Sequence, residues 1–226
     1  PLKTGLIAEI GSGNPVIALR ADIDALPIRE NTGLDYASYN GAMHACGHDF
    51  HQTSLLGAAE ILKNREKELK GTVRLIFQPA EENFQGGYQI IEAGGLEGVS
   101  AIVGYHNYPH LKPGQLGLKT GAIMAGVEQF EVTVQGVSSH AARPDLGVDT
   151  VLAVTSIVNN LQAIVARTVS PFESAVLSVT HIDVGTTWNV LPGKGFFEGS
   201  IRTFDPQVRR AVIEKFERVV RTTAEQ

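Results

Sequence analysis

Apolar positions in the first half of the chain fall in short unbroken runs; in the second half they alternate or recur at helical spacing. Val16–Leu19, inside Pro15–Asp24 (PVIALRADID), is continuous and apolar, the pattern of a strand buried on both faces. Polar Asp22 and Asp24 stand where that run ends. Pro27 and the Asn31–Gly33 turn lead into a loop. From Asp49 to about Leu69 the spacing of Leu55, Leu56, Ala59, Ile61 and Leu62 predicts a helix, closed by Gly71. Thr72–Gln78 (TVRLIFQ) predicts a strand that runs into Pro79-Ala80-Glu81-Glu82. A short helix follows at about Gly87–Ala93, then a third strand, Ser100–Tyr105 (SAIVGY), ending on His106. This alternation with short links predicts an α/β fold with a largely parallel sheet covered on both faces.

The pattern then changes. Gly114, Gly117, Gly121 and Gly126 space out a linker. Phe130, Val132 and Val134 alternate with Gln129, Glu131, Thr133 and Gln135, which describes a half-exposed strand. A polar loop, Ser138–Asp149, precedes a helix over about Asp149–Arg167 with Val151, Val154, Val158, Leu161 and Val165 as its core stripe. Strands follow at Ala175–Val184 and Gly195–Phe204. Asp205-Pro206 is a good N-cap and N1 pair for a last helix, with Val208, Val212, Phe216 and Val219 inward. The order β-α-β-β-α is a split βαβ unit lacking its final strand. The chain therefore reads as part of a longer polypeptide, with one domain over residues 1–122 and a second over 123–226.

Composition narrows the classes. A chain of 226 residues, 43% hydrophobic and 19% charged, is globular rather than disordered or fibrous. A formal charge of −5 argues against nucleic acid or an anionic membrane as partner. One cysteine excludes an internal disulfide and makes a reducing cytoplasm the simplest setting. No apolar run approaches the roughly 20 residues of a membrane helix, and the N-terminal stretch does not resemble a secretory signal.

Chemistry concentrates in Met43–His51 (MHACGHDFH), where His44, Cys46, His48 and His51 fall together at the start of the first helix. Thiolate and imidazole one glycine apart suit a transition-metal ion, and the helix dipole favours the thiolate of Cys46. In open sheets, ligands bind beyond the carboxyl ends of the strands. There the strands present Asp22, Asp24, Glu81, Glu82 and His106, which would converge with Cys46 and His48 on one edge. If Cys46, His48, Glu82 and His106 bind metal, their mixed donors suit Zn²⁺, Mn²⁺, Co²⁺ or Ni²⁺ over Ca²⁺ or Mg²⁺, and a thiolate can bridge two ions. Adjacent Glu81 and Glu82 diverge on a regular strand, so one would bind and the other take a proton from water. The reaction class is then hydrolysis of a carbonyl compound. His44 and His51 read as packing residues, Asp22 as a strand-end cap and Asp24 as support for a ligand histidine. His110 and His181 read as ordinary surface or strand residues, and His140 by itself as a polar-loop residue.

RADIDALPI (Arg20–Ile28), MHACGHDFH, QPAEE (Gln78–Glu82) and GYHNYP (Gly104–Pro109) together resemble the M20 metallopeptidase family. SSHAARP (Ser138–Pro144) and TTWNVLP…GSIRTF (Thr186–Phe204) match as well. The branch it most resembles is the amidohydrolases of N-acyl amino acids, hippurate and auxin conjugates. The resemblance implies a zinc-exopeptidase-like catalytic domain followed by a ferredoxin-like lid and dimerisation domain. It also implies two divalent ions held by Cys46, His48, Glu82 and His106, with Glu81 as general base. It further implies that His140 polarises the scissile carbonyl in a partner subunit, and that Asn189 and Arg202 hold the substrate's carbonyl and carboxylate. Because the family carries a further ligand histidine near its C-terminus, the expectation is weak metal binding and little turnover for these 226 residues alone. The rival readings are a dipeptidase or aminopeptidase on the same scaffold, and a non-catalytic metal-binding or dimerisation module. Intact Glu81 beside Glu82 argues against the module.

Overall fold

The structure is a computed structural model that describes residues 2–226, and it separates into two compact units, Pro1–Gln115 and Leu116–Gln226.

The first unit is built on a four-stranded sheet of order β1-β3-β2-β4: β1 Leu6–Gly11, β3 Thr72–Gln78, β2 Val16–Asp22 and β4 Val99–Gly104. β2 pairs in parallel with both β3 and β4, as the apolar runs predict. β1 is an addition: it lies antiparallel to β3 and makes the sheet mixed. Helix α1, His48–Asn64, covers one face through Leu55, which packs with Ile10, Ala21, Leu75 and Phe77. Helix α2, Gly86–Glu92, packs Ile90 with Ala18 and Ile76 in a separate cluster.

Three expectations need correction here. α1 ends at Asn64 rather than Leu69, because the charged run Arg65–Leu69 turns into a single 3-10 turn. Gly71 does not close the helix; with φ 152° it sits where an added Cβ would lie 2.3 Å from the Pro15 carbonyl, at the entry to β3. β4 is an edge strand, not a fully buried one: Ile102 and Val103 are exposed.

The second unit holds an antiparallel sheet of order β5-β9-β7, formed by Gly126–Gln135, Lys194–Thr203 and Ala175–Val184. Helices α3, Thr150–Thr168, and α4, Pro206–Ala224, supply the rest of the core. Asp149 and Asp205 cap them, each side chain accepting backbone N–H groups of the first turn. Val154, Ile157, Leu161 and Ile164 meet Val212 and Phe216 over Phe197 of β9. A two-stranded ribbon, β6 Ser139–His140 with β8 Val190–Leu191, was not legible as strands. α3 is long and apolar enough by length and composition to cross a membrane, although its Thr, Asn and Gln residues leave no unbroken apolar run. Its apolar stripe is spent on the core of the unit.

Candidate metal centre

β2, β3 and β4 end side by side, Asp22 opposite Gln78 and Arg20 opposite both Ile76 and Gly104. The chain leaving each strand end, and the start of α1, carry the side chains in question. Gly47 is the N-cap of α1 in the left-handed region (φ 84°), so that Cys46 precedes the helix and His48 opens it. Beyond β3, Ala80 is left-handed too (φ 54°), and its carbonyl accepts the Gly86 N–H at 2.9 Å, closing a tight turn over Glu81–Gln85.

That turn overturns the argument that Glu81 and Glu82 diverge. They lie past the strand, and both carboxylates come to 3.8 Å from one atom, His48 Nε2. On the other side, Cys46 Sγ lies 3.4 Å from His106 Nε2. Donor atoms of Cys46, His48 and His106 lie within 4.8 Å of one another, and so do those of His48, Glu81 and Glu82. Asp22, His48 and His51 form a third such group, and all three share His48.

The protons on the rings follow from their partners. A backbone carbonyl only accepts, so His48 Nδ1 donates to the Asp24 carbonyl (3.0 Å) and His106 Nδ1 to the Asn107 carbonyl (2.8 Å). Each Nε2 is then a lone pair aimed into the cluster. Asp24 has a second duty: its Oδ2 accepts the Glu82 N–H at 3.0 Å, tying the β3 turn to the β2 end. His51 has both nitrogens engaged, by Asp22 and Asn107. Asp22 is more than a strand cap; it is 1% exposed and also paired with Arg20 at 2.7 Å.

The electrostatics are those of a site short of positive charge. Burial pushes the Asp22 carboxyl up, but the His51 hydrogen bond and the Arg20 charge more than offset it and leave it below the ordinary range. Glu81 is raised, by burial first and then by the charge of Glu82. Cys46 corrects the dipole argument: burial, then the charge and hydrogen bonding of Glu82, push the thiol up to about 11. Burial, joined by three carboxylates, outweighs a helix terminus. His48 Nε2, Glu82 Oε1, Asp24 Oδ1 and His44 Nδ1 are all buried without a hydrogen-bond partner. An unsatisfied buried polar atom costs about 1–3 kcal/mol. A cation among His48, Glu82, Cys46 and His106 would satisfy two of these orphans and reverse the shift on the thiol. The donor set therefore fits a transition metal.

The remaining candidates lie in the second unit. His140 pairs with Val190 across the β6–β8 ribbon, and the Asn189 carbonyl accepts the Ala141 N–H at 2.9 Å, so these two residues are neighbours. Arg202 is not with them: it stands near the other end of β9, opposite Val127, eight residues and about 26 Å from the Lys194 end beside the ribbon. His181 pairs with Glu198 on the sheet, and His110 stacks on Tyr108. Sequence reasoning passed over Arg20 and Asn107. Neither carries a local signal, apart from Asn107 following a candidate ligand.

The chain belongs to peptidase family M20/M25/M40, whose description it matches over residues 18–226. It is 51% identical to an N-acetyl-L-cysteine deacetylase of Bacillus subtilis over 218 residues, 95% of this chain and 52% of that protein. An N-acyl-L-amino acid amidohydrolase of Geobacillus stearothermophilus is 42% identical over 229 residues, 100% of this chain and 62% of the relative. Among solved structures, a dinuclear metal-binding peptidase of the M20 family from Bacillus subtilis superposes with a TM-score of 0.81 at 47% identity, covering 99% of this chain and 58% of its own. The chain thus spans between about half and two thirds of the length of these relatives.

Proposed function

We propose that the protein is a metal-dependent amidohydrolase that cleaves N-acyl amino acids into a carboxylic acid and an amino acid. The observation that carries this reading is His48 Nε2: fully buried, without a hydrogen-bond partner, and within 3.8 Å of three carboxylates, of which Asp22 is engaged by Arg20 and His51 and only one of the two glutamates is needed as a ligand. The names of the Bacillus subtilis deacetylase and the Geobacillus stearothermophilus amidohydrolase, both N-acyl amino acid hydrolases, agree with it.

His48, Cys46, His106 and Glu82 would hold two divalent ions, manganese, zinc, cobalt or nickel. When bound, these supply electrophilic polarisation of the scissile carbonyl and acidify water. Glu81 accepts a proton from the attacking water as the new C–O bond forms, and returns it to the amine nitrogen as the C–N bond of the tetrahedral adduct breaks. Asp24 keeps His48 in the tautomer with Nε2 free, and holds the Glu82 backbone in register.

In this reading the second unit is a ferredoxin-like lid that forms a homodimer, the chain lies in the cytoplasm, and His140 donates to the developing oxyanion. Asn189, beside His140 on the ribbon, would hold the substrate carbonyl. Arg202 is too far along β9 to grip the same small molecule as His140 of its own chain, so with His140 serving the partner subunit the reading assigns the carboxylate contact of Arg202 to the substrate of its own subunit.

The test is a panel on the full-length protein: N-acetyl and hippuryl amino acids against free dipeptides, with and without chelator. Cleavage confined to the N-acyl substrates, lost with chelator and restored by Mn²⁺ or Zn²⁺, is the expected result. Cleavage of dipeptides alone, or hydrolysis indifferent to chelation, would overturn the assignment.

A further inference from the structure

A chain of polar groups, buried at Asp22 and His51, runs behind the donor cluster and ends on one of its members. Arg20 donates to Asp22 Oδ2 at 2.7 Å and is itself fixed by Gln78 Oε1 at 2.9 Å. Asp22 Oδ1 lies 2.6 Å from His51 Nδ1. A carboxylate paired with a guanidinium accepts, so His51 Nδ1 carries the proton and its Nε2 is an acceptor. That acceptor receives the Asn107 backbone N–H at 2.9 Å. The Asn107 carbonyl, in turn, accepts from His106 Nδ1 at 2.8 Å. Asn107 Oδ1 lies 2.8 Å from the same His51 nitrogen; the backbone N–H cannot be reversed but the amide can, turning its NH2 toward the ring.

The Asn107 side chain also touches the other side of the cluster. A Cβ on Gly47 would meet its amide atoms at 2.5–2.7 Å, so Asn107 rests directly on the glycine between Cys46 and His48. One residue therefore abuts the segment carrying two donors and orients the third. Both Asp22 and His51 are 1% exposed; Asp22 shares its two oxygens between Arg20 and His51, and both nitrogens of His51 are engaged.

Resting on the metal-centre reading above, we infer that His51 and Asn107 are positioning residues: Asp22 fixes the His51 tautomer, His51 fixes the Asn107 backbone, and Asn107 fixes His106 against Cys46-Gly47-His48. The polarity of the relay matters, not the imidazole as such. Replacement by glutamine, whose amide offers a donor and an acceptor in one plane, keeps it; replacement by leucine abolishes it.

The experiment is Co²⁺ titration of metal-free, full-length protein, read by calorimetry and by the thiolate-to-cobalt charge-transfer absorption. His51→Leu should weaken Co²⁺ binding about tenfold to a hundredfold and shift or erase the absorption, the cost usual for losing a partner of a ligand histidine. His51→Gln should stay within about threefold of the parent with its absorption retained. Asn107→Ala, at a half-buried site and easier to fold, should lose about tenfold. A folded His51→Leu, or Asn107→Ala should the leucine variant not fold, that melts lower yet binds Co²⁺ with parental affinity and absorption overturns the inference. Failure of the parent protein itself to bind Co²⁺ with a thiolate band would overturn the metal-centre reading and this inference with it.

Discussion

Gly86 offers the sharpest test of how the site is built. It opens α2 directly behind the turn that carries Glu81 and Glu82, and a Cβ there would lie 1.6 Å from the Pro79 carbonyl oxygen and 2.8 Å from its carbon. Real contacts of this kind stop near 3.0 Å, so Gly86→Ala must open the gap by about 1.4 Å, and both obstructing atoms are backbone. Its φ is not positive; the cost is purely steric. Overpacking of this sort costs about 1–3 kcal/mol, and a displacement near 1 Å of a reacting group costs roughly a hundredfold in rate. The neighbouring Gly87 is the control, because a Cβ there meets nothing within 4 Å and the residue is helical. Gly87→Ala should gain up to about 1 kcal/mol. Thermal unfolding and chelator-sensitive hydrolysis, measured on both variants of the full-length protein, separate the cases. If Gly86→Ala melts and turns over like the parent, the turn does not place the carboxylates as described.

Glu81→Gln should lower kcat about 10²–10⁴-fold while leaving metal content intact; loss of the metal, measured by elemental analysis, would make Glu81 a ligand. Phe197→Ala, at a fully buried position under α3 and α4, should destabilise the second unit by about 3–5 kcal/mol in denaturant titrations. Asp22 predicts a pH signature. Its folded pKa is depressed, so its stabilisation is present above the ordinary value of 3.8 and is lost as pH falls through the folded value. The melting difference between the parent and Asp22→Asn should therefore be constant above about pH 5 and shrink in stronger acid; a difference that grows instead would reverse the sign of the argument.

Helices and central strands were legible because their signal is local. α3, α4, β5, β7 and β9 fall within about two residues of where periodicity and the Asp caps place them. β1 was missed because LIAEIG is short, carries Glu9 mid-strand, and joins the sheet only by pairing antiparallel with β3, some 65 residues on. The cluster of donors was legible as residue types at strand ends. Its internal arrangement was not. The left-handed Ala80, which cancels strand alternation at Glu81–Glu82, has no signature in QPAEE. The titration of Cys46 depends on carboxylates from β2 and the β3 turn, which weigh on it only after folding. His51 looked like a spare histidine because its partners, Asp22 and Asn107, are 29 and 56 residues away.

The seating of His48 between the β2 end and the β3 turn has a consequence for how the protein matures. Its companions Cys46, Glu82 and His106 come from three separate loops, and β2 meets β3 and β4 only through parallel, long-range registry. A denatured chain keeps only the local Cys46–His48 pair and cannot present the full grip, so a bound ion would favour the finished structure. At a hundredfold excess over its dissociation constant it would add about 2.7 kcal/mol to the folded side. Starvation for metal should then show first as a shorter-lived polypeptide, and only afterwards as a slower catalyst.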